Sequence, residues 1–170
     1  RIAETLTALR EEGKIRQVGV SNYTASQFRA LQAHLPFPIA THQPEFSCWS
    51  HAPLRDGILD QCLELGVTPL AWSPIGGGRL GMDAATAAAQ PRGAQLVELL
   101  TVLDEVAQSQ GVSRVSVALA WLLAHPANVI PIIGTQTLHR IRESVEALTV
   151  ELDRSTWNRI LVAAQGEPLP

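Results

Sequence analysis

The chain has 170 residues, 46% of them hydrophobic and 17% charged, with a formal net charge of −3. That is enough for one domain with a sizeable core, and too few charges for a disordered tail. No run of 18 apolar residues is present and Lys14 is the single lysine, so no membrane and no nucleic-acid partner is expected. Cys48 and Cys62 lack metal-ligand spacing and no secretory leader precedes them. A reducing, cytoplasmic setting is expected, with both as ordinary partly buried thiols.

Hydrophobic periodicity predicts a leading helix followed by four strand-helix units. Ile2, Leu6 and Leu9 share one face of a helix over about 1–12, which Gly13 stops. Because the chain begins at Arg1 inside this pattern, a segment upstream of it is expected. The first strand, Ile15 to Val20, leads through Ser21-Asn22 to a helix over about 25–34, announced by Thr24 and Gln27 in capping-box spacing. Pro36 and Pro38 end that unit. The second strand, Ile39 to Gln43, enters an irregular stretch with Pro44 and Pro53, then a helix over about 55–65 that Gly66 closes.

The third strand, Val67 to Trp72, is followed by Ser73-Pro74 and the Gly76-Gly77-Gly78 run, which cannot begin as helix. An alanine-rich connection over about 84–93 is expected to be mobile. Helices over about 94–110 and 114–124 follow, divided by Gly111 and ended by Pro126. The fourth strand, Val129 to Ile133, is apolar throughout apart from Pro131, so burial on both faces is expected. Helices over about 137–147 and 153–165 complete the chain.

Strands alternating with helices imply parallel pairing and an α/β class, because each crossover helix returns the chain to start again in the same direction. An open doubly wound sheet and part of a closed (β/α)8 barrel both satisfy that pattern. No strand is followed by G-x-G-x-x-G, which counts against the first, and four strands are half of what the second requires.

In either architecture the functional side lies at the carboxyl ends of the strands. There the sequence places Ser21-Asn22, Gln43, Trp72-Ser73 with the glycine run, and Gly134-Thr135-Gln136. Carboxamides, an aromatic face and glycine-rich backbone on one rim suit a flat, amide-bearing heterocycle attached to phosphates. Asn22 and Gln43 could grip a carboxamide, or could be a turn residue and a cap. Trp72 could stack on a planar ring or pack in the core. The glycines allow backbone N–H groups close to phosphate, or make an ordinary flexible loop. Arg140 lies one turn into the helix after Gly134-Thr135-Gln136, where guanidinium and helix amides could share a phosphate; otherwise it belongs to a solvated face with Arg142 and Glu143.

The order and spacing of these pieces resemble the second half of an aldo-keto reductase. The resemblance covers the whole chain and rests on four stretches in order. They are Gly13-Lys14-Ile15-Arg16 through Val18-Gly19-Val20-Ser21-Asn22; Gln43 with Glu45; Ala71-Trp72-Ser73-Pro74-Ile75-Gly76-Gly77-Gly78-Arg79-Leu80; and Val129-Ile130-Pro131-Ile132-Ile133-Gly134-Thr135. It implies that residues 1–170 form a single partial domain, the C-terminal half of a (β/α)8 TIM barrel that binds NADP(H) across its strand ends. Carried over by position, Ser21, Asn22 and Gln43 would hold the nicotinamide carboxamide and Trp72 would stack on its ring. Ser73, Pro74 and the loop of Gly76, Gly77, Gly78, Arg79 and Leu80 would run beside the pyrophosphate. Gly134, Thr135, Gln136 and Arg140 would surround the adenosine 2′-phosphate, with Glu143 near the adenine. Two departures stand out: many relatives have lysine where Gly134 stands, and asparagine where Ser144 stands.

The family's Asp, Tyr, Lys and His would come from strands outside this chain. Tyr23, the single tyrosine, cannot replace the acid, because Lys14 lies about nine strand residues below it, roughly 25–30 Å at 3.3 Å rise per residue. His42 is expected to point away from Gln43, between sheet and helices. Three functions remain open. The intact protein reduces a small carbonyl substrate with NADPH, paired with the missing N-terminal half of the barrel; or the chain is an inactive NADP(H)-binding half-barrel; or it is an interaction module, as in the family's channel-associated members.

Overall fold

A computed structural model describes residues 1–168. Its helices are α1 (Ile2–Glu11), α2 (Ala25–Gln32), α3 (Ile58–Leu65), α4 (Ala84–Ala88), α5 (Gly93–Gln110), α6 (Arg114–Leu123), α7 (Leu138–Glu146) and α8 (Arg154–Gln165). Between them run four short strands, β1 (Gly19–Ser21), β2 (Thr41–Gln43), β3 (Thr68–Ala71) and β4 (Ile130–Pro131). All neighbours are parallel and the order is β1-β2-β3-β4, without the reversal that marks a doubly wound sheet.

Local chemistry explains the boundaries. Thr24 caps α2 with the expected box: its Oγ1 accepts from Gln27 N at 3.2 Å, and Gln27 Oε1 accepts from Thr24 N at 2.9 Å. Gly66 and Gly111 end α3 and α5 in left-handed conformation. The first strand begins four residues later than the sequence predicts, because Lys14 N and Ile15 N turn back to Leu9 O and finish the helix. Pro131 has no N–H to give, which shortens the edge strand. The alanine-rich stretch contains a short capped helix, α4. Asp83 Oδ1 accepts from Thr86 N at 2.9 Å to start α4, Ala87 is fully buried, and Gly93 packs so tightly that a Cβ would lie 2.1 Å from Ala88 O.

The largest core layer joins α5, α6 and α8 through Leu96, Leu99, Leu103, Trp121 and Ile160. Trp121 and Trp157 stack 4.6 Å apart, and each indole N–H donates to the other's backbone carbonyl, at 3.1 and 2.9 Å. The sheet itself is two-sided. Val18, Val20, His42, Ala71 and Val129 point to a buried face, whereas Ser21, Gln43, Trp72, Ile130 and Ile132 face the other way and are part-exposed or exposed. The expected burial of the fourth strand on both faces is therefore corrected: Ile130 is 52% exposed and Ile132 38%, because the described residues leave that side largely uncovered.

Candidate functional site

The carboxyl ends of the strands gather the predicted residues into two connected groups. In the first, Trp72 Nε1 donates to Asn22 Oδ1 at 2.9 Å across the sheet, and Ser21 Oγ donates to Gln43 O at 3.0 Å. The backbone joins the same residues, with Asn22 N donating to Gln43 O at 3.1 Å. Asn22 (φ 56°) and Ser73 (φ 49°) both occupy the left-handed region. Asparagine tolerates that region; for Ser73 it is a strained conformation held by its surroundings.

The second group lines a cleft of about 700 Å³ between the loop after β3 and the start of α7, within the size range of small-molecule sites. It brings together Pro74, Gly78, Gly134, Thr135, Gln136, Arg140 and Glu143. Sequence reasoning missed the apolar wall from α6, Val115 and Leu119, together with Ile75 and Ile133, and named Ser144 only as a departure from the family pattern. The clue available was the apolar run of α6, but helical periodicity cannot say which apolar positions meet a ligand.

The remaining loop residues divide by role. Gly76 takes φ 61° against Trp49, whose Cβ a new Cβ would meet at 3.3 Å. Gly77 is exposed. Arg79 folds back, Nη1 donating to Gly76 O at 3.0 Å. Leu80 is fully buried, so only its backbone can approach a ligand.

Electrostatics single out the start of α7. Thr137, at the N-cap, makes no side-chain cap bond, and Arg140 sits in the first turn at the positive end of the helix dipole. A cation there is unfavourable alone and is compensated when an anion sits against the free amides. Burial pushes the Cys48 thiol up to about 12 and that of Cys62 up to about 11, and both are free. Tyr23 packs beside the cluster of Phe28 and Val20, while Lys14 pairs with Glu12 at 2.7 Å on the surface. His42 is buried on the covered face, Nε2 bonded to Tyr23 O at 3.0 Å, its ring stacked on Phe28. No group of three potential metal ligands occurs among the described residues.

A parallel four-stranded sheet with helices between its strands and a cleft at its carboxyl edge defines an α/β protein with a candidate small-molecule site, and the comparisons with known proteins narrow it. The aldo/keto reductase family model matches residues 1–164, so the chain belongs to the aldo/keto reductase family of oxidoreductases. It is 47% identical over 169 residues to a 6-dehydroglucose reductase of Novosphingobium aromaticivorans, covering 99% of this chain and 53% of that protein. Oxidoreductase YdhF of Escherichia coli is 41% identical over 169 residues, covering 99% and 54%. A crystal structure of the thermostable aldo-keto reductase Tm1743 with the inhibitor epalrestat superposes with a TM-score of 0.78 at 25% identity, over 95% of this chain and 53% of that one. The chain thus spans about half the length of the relatives it matches.

Proposed function

We propose that residues 1–170 are the C-terminal half of a (β/α)8 barrel and form the NADP(H)-binding wall of a carbonyl reductase. The sequential strand order, the open sheet face and the half-length match to relatives support this reading. One observation carries the cofactor: Arg140 and the uncapped amides of α7 border a cleft sized for an adenosine phosphate. Arg140 and Thr135 hold the 2′-phosphate, which favours NADP over NAD, and Glu143 meets the adenine. Gly78 and the strained turn at Ser73 let the backbone approach the pyrophosphate.

At the other group, Asn22 and Gln43 orient the nicotinamide carboxamide and Trp72 lies along the ring, its tilt fixed by the bond to Asn22. The bound cofactor supplies the hydride for reduction of an aldehyde or ketone. This chain's residues bind and orient; proton delivery belongs to the other half of the barrel, because neither Tyr23 nor Lys14 stands at the mouth as a paired acid. The free buried thiols suit the cytosol.

Calorimetric titration of NADPH into the whole protein tests the reading. Arg140→Gln should weaken NADPH roughly tenfold, about 1.4 kcal/mol, while leaving NADH nearly unchanged; equal losses for both would sink the 2′-phosphate assignment. The 170-residue chain alone should show no NADPH-dependent aldehyde reduction, and turnover abolished by Tyr23→Phe would overturn the division of labour.

A further inference from the structure

A second cleft, of about 630 Å³, opens between the loop after β2 and the start of α5, apart from the nucleotide site. Arg55 and Arg92 flank it, with His51 between the loop and the cleft wall. Neither arginine takes part in an ion pair among the described residues. Arg92 is nevertheless held firmly. Its Nε donates to Gln95 Oε1 at 2.7 Å, its Nη2 to Ala164 O at 3.2 Å, and its guanidinium lies over the Trp49 ring, 4.4 Å from the centroid. Its backbone is left-handed, φ 60°, in a residue that has no intrinsic preference for that region. Arg55 is tied by one Nη2 contact to Gln165 Oε1. Of the five N–H groups on each guanidinium, most therefore stay available.

His51 supplies the complement. Its Nδ1 lies 3.3 Å from Cys48 O, a carbonyl that can only accept, so Nδ1 carries the proton and Nε2 is left as an acceptor. Burial first, then the two arginines, hold the ring below its ordinary value, which keeps Nε2 unprotonated near neutral pH. Two carboxylates, Glu45 and Asp56, also line the cleft, and each accepts a local hydrogen bond. Glu45 Oε1 accepts from Ser50 Oγ at 3.2 Å, and Asp56 Oδ1 accepts from Ile58 N at 2.9 Å, with its charge felt at His42. The charges felt at His51 are those of the guanidinium groups.

We propose that this cleft binds a phosphate-type oxyanion that still carries an acidic proton, its oxygens held by Arg55 and Arg92 and its P–OH donating to His51 Nε2. Planar guanidinium forks match phosphate oxygens, and a neutral imidazole acceptor selects the monoprotonated form. Inorganic phosphate and the monoanion of a phosphate monoester both present charged oxygens beside a P–OH.

The test is NMR observation of the His51 Cε1–H resonance, which reports on this cleft, during titration of the whole protein in an Arg140→Gln background that weakens the nucleotide site. Inorganic phosphate should shift the resonance saturably and raise the His51 titration midpoint, because the anion offsets both guanidinium charges. Sulfate, without an acidic proton at neutral pH, should bind several-fold more weakly. Arg55→Gln and Arg92→Gln should each weaken phosphate binding roughly tenfold. Arg92→Lys, which keeps the charge, should lose less and guards against a folding defect in Arg92→Gln. Glycerol phosphate competing more tightly than inorganic phosphate would identify a monoester as the occupant; the reverse would identify the free ion. A His51 resonance that does not respond to phosphate overturns the proposal. So does a response left unchanged by Arg55→Gln, or sulfate binding as tight as phosphate.

Discussion

The two sides of the sheet are built from similar residues and end differently. On the covered side, Trp121, Leu122, Leu99 and Ile160 are fully or almost fully buried, and the Trp121–Trp157 pair satisfies both indole donors inside the core. On the open side, Ile130 and Ile132 are 52% and 38% exposed; in the helical layer, α7 packs on α6 yet buries none of its residues, and Leu138, Val145 and the following Leu148 are 58–74% exposed. The chain exposes 9557 Å², where a compact monomer of this length exposes about 8,100 Å². Hydrophobicity alone does not separate the sides; partners do. All-parallel sheets normally have both faces covered, whereas here one face stays open among the described residues.

The contrast makes quantitative predictions. Trp121→Ala removes a stacked, doubly bonded side chain and should cost about 3–5 kcal/mol, read as a lower urea midpoint. A loss below about 1 kcal/mol would mean the helical layer is not the stable part of the molecule. Gly19 comes next, the tight spot on the open face: a Cβ there would lie 2.1 Å from Thr41 Oγ1. Gly19→Ala should cost about 1–3 kcal/mol, and the double variant with Thr41→Ala should recover part of it. Strict additivity of the two changes would show that the clash is relieved elsewhere.

Three histidines also predict a pH dependence. His42, His51 and His125 are all held below the ordinary value of 6.5, in each case by burial first. Between that value and the depressed folded ones, the unfolded chain binds more protons than the folded one. Stability is therefore fully present above pH 6.5 and is lost as pH falls through the window below it. Unfolding midpoints should drop between about pH 7 and about pH 5; a flat profile would mean the rings are solvated in the native state.

The elements that carry their own chemistry could be read from the sequence. Thr24 with Gln27, the glycine stops at 66 and 111, and the alternation around His42 and Gln43 each depend on neighbours a few residues away. Features set by distant partners were not legible. The Asp83–Thr86 cap was visible in principle, yet helix α4 matters because Ala87 reaches the core, which composition hides. Strand β4 looks buried because an apolar run is identical whether or not a cover is present. Among the site residues, the strand-end positions came from topology, and the order of the motifs joined them. The bond from Trp72 to Asn22 spans 50 residues, and Val115 and Leu119 line the cleft from a helix that reads as plain core. No local pattern distinguishes an apolar side chain facing a ligand from one facing another helix.

The smallest expected effect gives the sharpest test of the comparison. Ile132 directly follows β4 and extends its pairing, its N–H donating to Ala71 O at 2.8 Å, a position where a polar substitution in an α/β core ordinarily costs several kcal/mol because it strands a hydroxyl away from water. Here the side chain already meets solvent, 38% exposed on the uncovered face. Ile132→Thr in the 170-residue chain should therefore change stability by less than about 0.5 kcal/mol, since the β-branched shape suits the strand and the hydroxyl keeps its water. The same substitution should reduce self-association, read by sedimentation, because it removes apolar area from the exposed face. A loss of 2 kcal/mol or more would show that the face is covered in solution, by a second molecule or by a rearranged helix α7, and the contrast between the two sides of the sheet would fall.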